Sequence, residues 1–382
     1  MEDQTDRLSH SGPAAAGTSP ADVAPLAGLQ FVAIAWIVLN QFRDHLGLEA
    51  GAKSGLVAKG YVGAGLFFVV SGFLLCRQFV ELRESGRFRY GSFLWRRLAF
   101  LYPLHVVILA AMAASLALGS IVGEPIHGAS FQVRDLPANL LLIQAWGVLR
   151  TDSWNFPSWL ISADWFAYLL FPLIAWVALR GLRSKVLALA VPMALFVVLF
   201  LSAQTQGILF TDMTTRIGAL QTVPAVLLGA ALWRLDRDLK LPRKTAAVLA
   251  VGAFGWIGLA ASLRLSDLVI WPTFGPLVLG VAATADARIN PLASSGLRYL
   301  GRISISMLLV YLPVDIAYFR VAQLLWRAPR GVEAWIMWSG VFPVILLAAV
   351  IAYHGFQCPL WRWLQAHNSS TAKTEARAFR GR

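Results

Sequence analysis

Long apolar runs are the feature that most constrains this chain, because they recur along nearly its whole length with few charges inside them. A helix needs about 20 mostly apolar residues to cross a bilayer. About ten runs approach that length, so we predict an all-α integral membrane protein built as a bundle of about ten transmembrane helices. The runs occupy residues 26–42, 60–76, 101–119, 156–179, 186–203, 217–233, 246–263, 268–284, 303–325 and 334–356.

The composition favours a membrane protein over a soluble one. The chain has 382 residues, of which 58% are hydrophobic and 14% are charged, whereas a soluble domain carries about a quarter charged residues. A net charge of +13 can indicate nucleic-acid binding, but here the basic residues lie between apolar runs and not on one face of a soluble domain. We therefore expect membrane lipid, and no nucleic acid, as a partner.

The distribution of basic residues predicts the orientation of the bundle. With a cytoplasmic amino terminus, the tails and alternate loops on that side carry 23 of the 33 Lys and Arg residues, and nine lie on the other side. The loop from Arg77 to Arg97 gives the strongest indication, since basic loops stay in the cytoplasm. Both termini are therefore predicted to be cytoplasmic, in a multi-pass protein of a cell membrane, the inner membrane in a bacterium.

Three regions of the chain differ from the apolar runs. Residues 1–23 are polar and predict a disordered cytoplasmic tail, and residues 364–382 predict a basic cytoplasmic tail. The run 137–149 is too short to cross a bilayer and contains Asn139 and Gln144, so we predict a re-entrant or interfacial helix there. The two cysteines have no metal-ligand spacing, and we expect no metal site.

Six motifs occur in a fixed order between the tails. Together they resemble the acyltransferase 3 family, membrane enzymes that move acyl groups, usually acetyl, onto extracytoplasmic glycans and related acceptors. The resemblance covers the transmembrane domain, residues 24–363. The motifs are LAGLQFVAIAWIVLNQF (Leu26–Phe42), GYVGAGLFFVVSGFLL (Gly60–Leu75), FLWRRLAFLYPLHVV (Phe93–Val107), WNFPSWLISADWFAYLLFPLI (Trp154–Ile174), GRISISMLLVYLPV (Gly301–Val314) and QCPLW (Gln357–Trp361).

This resemblance implies an acyltransferase that moves an acyl group from acyl-coenzyme A to a cell-envelope glycan, a lipid-linked saccharide or a related hydroxyl acceptor. Polysaccharide O-acetylation is the form of this reaction that we expect. Arg96, Arg97 and Arg302 are our candidates for binding the phosphates of the donor, because guanidinium groups form charge-assisted pairs with phosphate. The alternative is that these arginines fix the topology and bind lipid headgroups.

Several ionisable positions of the family are neutral in this chain. A glutamine amide has no useful proton affinity, so Gln41 cannot act as the general base that a hydroxyl acceptor requires. Buried charges are expensive in a membrane and tend to vanish once their task does. By the resemblance, Gln30 replaces an Arg, Gln41 a His, Gly65 an Asp, Phe100 the second Arg of an Arg-x-x-Arg pattern, Tyr311 a His and Gln357 a Glu.

Four residues are therefore candidates for the catalytic site: Gln41 and Tyr311 at family positions, and His45 and Asp164. His45 follows Gln41 by four residues and lies on the same helix face if the helix continues, so it is a relocated base or a solvated interfacial histidine. Asp164, where the family has Glu, is a functional carboxylate inside a span or one half of a structural ion pair, for example with Arg320.

Polar neighbours of these candidates have simpler interpretations. Ser158 and Ser162 lie on the same segment as Asp164 and are candidates to hydrogen-bond its carboxylate. His105 is expected to hydrogen-bond a neighbouring helix.

Two functions remain open from the sequence. One is the acyltransferase that the resemblance implies. The other is a catalytically degenerate relative that keeps the helical frame and acts as a glycan-binding, scaffolding or transport partner.

Overall fold

Helices form all the regular secondary structure in the described part of the chain. The computed structural model describes residues 24–46, 54–121, 131–149, 151–207, 214, 217–285, 290–325 and 332–365. The predicted amino-terminal tail and all but the first two residues of the predicted carboxyl-terminal tail lie outside these residues, so both tails remain predictions.

The residues that the structure describes form ten main helices, and these confirm the predicted fold class. Within the described residues, nine helical stretches are long and apolar enough to cross a membrane, and the apolar stretch Asp267–Ala283 is shorter. The helices are α1 (Ala24–Gln41), α2 (Gly63–Glu84), α3 (Tyr90–Ile121), α4 (Trp159–Trp176), α5 (Lys185–Thr205), α6 (Gly218–Leu239), α7 (Arg243–Ser262), α8 (Phe274–Ala283), α9 (Ser295–Leu325) and α10 (Val332–Ala352).

The predicted span at 268–284 is a broken helix. A single turn, Asp267–Ile270, is followed by the 3-10 turn Trp271–Thr273 and then by α8. Pro272 lies in the 3-10 turn and has no backbone N–H to donate. The break lies inside the apolar stretch Asp267–Ala283, so the regular helix α8 has only 10 residues.

Helix α2 lies at the centre of the bundle. In its most apolar window 89% of the residues are buried, compared with 28% in α5 and α7 and 22% in α10. The exposed faces of α5, α7 and α10 are apolar, as expected for surfaces that meet lipid. The core is therefore organised around α2, with α6, α1 and α4 packed against it.

Small residues let the central helices approach to backbone distance. A Cβ atom added at Gly72 of α2 would overlap the carbonyl oxygen of Val226 in α6, and one at Gly229 of α6 would overlap the carbonyl oxygen of Val69. Close approach of this kind gives helices van der Waals contact that lipid tails do not replace. The small residues of the Gly60–Leu75 segment thus pack helices together.

Helix α1 lies beside α9 along much of its length. Near their amino ends, a Cβ atom at Gly301 would overlap the carbonyl oxygen of Ala27. Just beyond the carboxyl end of α1, His45 contacts Asp315 of α9. The two helices are therefore parallel and in a fixed register.

The segment 137–149 does not form a spanning helix, in agreement with the sequence. It contains the short helix Leu136–Leu140 and a turn over Gln144–Val148, in which Gly147 has φ of 83°. His105 of α3 contacts the carbonyl oxygen of Asn139 through Nε2 at 2.9 Å, which confirms its predicted role in packing. The cytoplasmic placement of the two termini stays a prediction.

We expect Gly229→Ala to destabilise the bundle, because its methyl group would force α2 and α6 apart. Overpacking of this kind costs about 1–3 kcal/mol. The melting temperature of the purified protein in detergent should fall.

The matched control is Gly252→Ala in α7, where no heavy atom lies within 4 Å of the added Cβ. This change should leave the protein as stable or raise its stability by about 0.5–1 kcal/mol, since alanine favours helix. A Gly229→Ala protein that melts at or above the wild-type temperature would contradict the close crossing.

Candidate functional site

His45 is held against α9 at the end of α1. The α-helix ends at Gln41 and the chain continues as a 3-10 turn over Phe42–Leu46. Nε2 of His45 lies 2.9 Å from Oδ1 of Asp315, and the two side chains are 32% and 23% exposed. The imidazole also stacks on Phe319, with 3.6 Å between ring centroids and 4° between planes. His45 is thus a partly exposed side chain that Asp315 and Phe319 hold against α9.

Tyr311, another sequence candidate, lies beneath this pair. Its side chain is 2% exposed, and its ring centroid lies 6.0 Å from that of Phe42 and 6.3 Å from that of Phe156. Gln41 is the half-buried last residue of α1. The aromatic rings pack beneath His45, whose own side chain is partly exposed.

Asp164 is 2% exposed and has a defined polar environment. Tyr168, one turn along α4, donates a hydrogen bond from Oη to Oδ2 of Asp164 at 3.0 Å. Arg97 of α3 places its guanidinium 5.4 Å from the centroid of the Tyr168 ring and interacts electrostatically with Asp164. Arg97 also donates a hydrogen bond to the side chain of Gln78 in α2. Asp164 therefore joins a buried polar chain that links α2, α3 and α4.

Two predictions about Asp164 are wrong. Its basic neighbour is Arg97 and not Arg320, whose side chain is exposed on α9. Ser158 and Ser162 do not bond the carboxylate: Ser158 accepts a hydrogen bond from Gln144 at 2.8 Å, and Ser162 donates one to the carbonyl oxygen of Leu142 at 2.7 Å. Ser162 of α4 and Ser158 of the 3-10 turn before it both face the preceding short segment and not Asp164.

Arginines converge at the ends of α2 and α3 that lie opposite His45. They line an open pocket of about 290 Å³ of empty space, which includes solvent at its mouth. No acidic residue lines it, so it favours an anion. The lining residues are Gln78, Leu82, Arg87, Arg89, Ser92, Phe93, Arg96 and Arg97.

The pocket combines predicted and unpredicted residues. Arg96 and Arg97 meet there as proposed for donor binding. Arg302 does not line it; its exposed side chain lies over the ring of Tyr299 on α9, at 5.6 Å. Arg87 and Arg89 belong to the basic loop from which the sequence analysis predicts only the orientation. Their spacing before Arg96 is the signal that could have indicated the arginine pocket.

The acyltransferase 3 family model, described as an acyltransferase domain, matches residues 26–354. The chain belongs to the acyltransferase 3 family. Protein 2 in the picA locus of Rhizobium radiobacter is 34% identical over 100 residues, 26% of this chain and 49% of that protein. Acyltransferase MdmB of Streptomyces mycarofaciens is 33% identical over 116 residues, 30% of this chain and 28% of that protein.

These matches cover half or less of each relative's own length. No solved structure matches the chain significantly. Family membership and the nine apolar helices make the chain a multi-pass membrane protein of an acyltransferase family.

Two of the neutral replacements at acyltransferase 3 positions are built into hydrogen-bond networks. Gln30 donates to Oγ of Ser71 in α2 at 3.5 Å, a long contact. Gln357 accepts from Oγ of Ser306 at 2.5 Å and donates to the carbonyl oxygen of Phe100 at 3.0 Å. These amides tie helices together through neutral hydrogen bonds.

Aromatic rings lie against Gly65, the position where the sequence resemblance implies an Asp in the family. A Cβ atom built there would lie 3.1 Å from Nε1 of Trp271 and 3.1 Å from Cε2 of Phe274. Trp271 is held by a stack on Phe196, with 4.2 Å between centroids and 4° between planes. A carboxylate at this position would require the indole to move.

We expect Tyr168→Phe to destabilise the protein, because it removes the donor to a buried carboxylate. A buried polar group left unsatisfied costs about 1–3 kcal/mol, so the melting temperature in detergent should fall. Tyr102→Phe in α3 is the matched control, since the hydroxyl of Tyr102 makes no hydrogen bond within the described residues. Equal melting temperatures for the two variants would show that Asp164 does not depend on Tyr168.

Proposed function

We propose that the protein is a membrane acyltransferase that moves an acyl group, acetyl in the simplest case, from acyl-coenzyme A to a hydroxyl of a cell-envelope glycan. The observation that carries the proposal is the imidazole of His45 in contact with Asp315 at an accessible end of the bundle. His45 supplies a base within the family's domain, although the position where the resemblance implies the family's histidine holds Gln41.

The arginine pocket supports coenzyme A as the donor. Coenzyme A carries phosphates, and planar guanidinium groups bind phosphate oxygens in pairs. Arg97 is 7% exposed and is held by Gln78, so its charge is fixed at the inner wall of the pocket. Arg87 and Arg89 are exposed at the rim, where they attract an anion from solution.

In this proposal His45 takes the proton of the acceptor hydroxyl while the acceptor oxygen bonds to the carbonyl carbon of the thioester. The carbon–sulfur bond breaks, and coenzyme A leaves as a thiolate that takes up a proton. A glycan reaches His45 from the end of the bundle. The thioester of a donor held in the arginine pocket comes from the opposite end, so the rings of Tyr311, Phe42 and Phe156 beneath His45 must move aside when both substrates are bound. Asp164 and Arg97 lie deeper, towards the donor pocket.

A second candidate is a non-catalytic relative that binds glycan. The neutral hydrogen bonds of Gln30 and Gln357 and the aromatic filling beside Gly65 favour it, since they make the replaced positions structural. Saturable binding of the glycan without turnover, under conditions where donor binds, would select this candidate.

We expect His45→Ala to lower the rate of transfer by about a hundredfold to ten-thousandfold, the usual contribution of a general base. The assay uses the purified protein in lipid with labelled acetyl-coenzyme A and cell-envelope glycan. His354→Ala is the control, because this exposed histidine lies at the opposite end of the bundle beside Tyr299. An active protein that is indifferent to His45→Ala would rule out this base.

We expect Arg96→Gln to weaken the binding of coenzyme A by about fivefold at low salt, because a partly exposed ion pair contributes up to about 1 kcal/mol. The difference should shrink as salt screens the charge. Calorimetric titration of the protein with coenzyme A measures this affinity. Arg302→Gln, which removes an equal charge outside the pocket, should leave the affinity unchanged; equal losses would contradict the pocket.

A further inference from the structure

We propose that Asp315 is a positioning residue for His45, and that it makes Nδ1 the nitrogen that accepts the proton of the acceptor. This inference rests on the proposed function. It assigns a role to a carboxylate that lies one helical turn beyond Tyr311 and that neither the sequence motifs nor the family comparison marks.

Three contacts fix the imidazole in one orientation. Nε2 lies 2.9 Å from Oδ1 of Asp315. Phe319 stacks on the ring almost in parallel. Phe42 lies on another side, with its ring centroid 6.2 Å away. Because α9 provides both the carboxylate and the stacking ring, the imidazole can neither tilt nor turn without losing a contact.

This orientation gives the two ring nitrogens different tasks. A neutral imidazole carries one proton, and a carboxylate beside Nε2 holds that proton there, which leaves the lone pair on Nδ1. When Nδ1 accepts a proton, the ring becomes a cation and the adjacent carboxylate stabilises it. The contact with Oδ1 is not aligned as an ordinary hydrogen bond, a common state of catalytic pairs before substrate binds.

A second acidic residue near this end of the bundle has another environment. Asp152 interacts electrostatically with Tyr311 and accepts a hydrogen bond from Thr214 at 3.1 Å. The carboxylate in contact with His45 is that of Asp315. Asp152 therefore provides a matched control for the removal of a nearby charge.

The test compares Asp315→Asn with Asp152→Asn in the transfer assay, after size-exclusion chromatography has shown that both variants are folded. Asp315→Asn should lower kcat at least tenfold with little change in KM for either substrate, and Asp315→Glu should recover part of the loss. Asp152→Asn should change neither constant. A wild-type kcat in Asp315→Asn would overturn the positioning role.

A second measurement does not depend on turnover. Carbethoxylation of His45 by diethyl pyrocarbonate, followed by mass spectrometry, should be slower in Asp315→Asn than in the wild type, because the carboxylate no longer keeps the proton on Nε2 and the reactive lone pair on Nδ1. Asp152→Asn should match the wild type. Equal rates in all three proteins would overturn the contact itself. A wild type without turnover would instead overturn the proposed function, and with it the catalytic role of Asp315, even if the modification rates differ.

Discussion

The structure depends on helix crossings that are close enough for backbone contact. Lipid tails are as apolar as leucine, so burial of apolar surface does not drive helices together in a bilayer and close packing must do so. Gly72 and Gly229 bring α2 and α6 into contact at the centre, and Gly301 brings α9 onto Ala27 of α1. These close crossings fix the positions of the helices along one another. The polar pairs between the helices take their register from these crossings.

The register of α1 and α9 explains how a polar pair can lie away from the family's positions. Asp315 follows Tyr311 by four residues and lies one turn further along α9. His45 follows Gln41 by four residues and lies in the 3-10 turn that continues α1. Because the helices are parallel, both displacements run the same way and the two groups still meet. Tyr311 now packs against aromatic rings.

The sequence predicts what depends on one segment and fails where two segments must be paired. Apolar length predicts the spans and the short segment at 137–149, and motif order predicts the family. Partners do not follow: Ser162 lies two residues before Asp164, yet it points to Leu142. The sequence does not identify Asp315 for the same reason. Its role depends on a contact with His45 between α1 and α9, which no spacing within either helix reveals.

The ionisable side chains that this chain keeps say more about its function than the family positions that are neutral. An ionisable side chain inside a membrane is expensive and is kept where it has a partner and a task. Gln30 and Gln357 show that neutral amides can hold the helices together in this fold. If the whole site had decayed to a scaffold, neutral hydrogen bonds would suffice at Asp164 and His45 too. Two ionisable pairs nevertheless persist, Asp164 with Arg97 and His45 with Asp315, which favours retained chemistry.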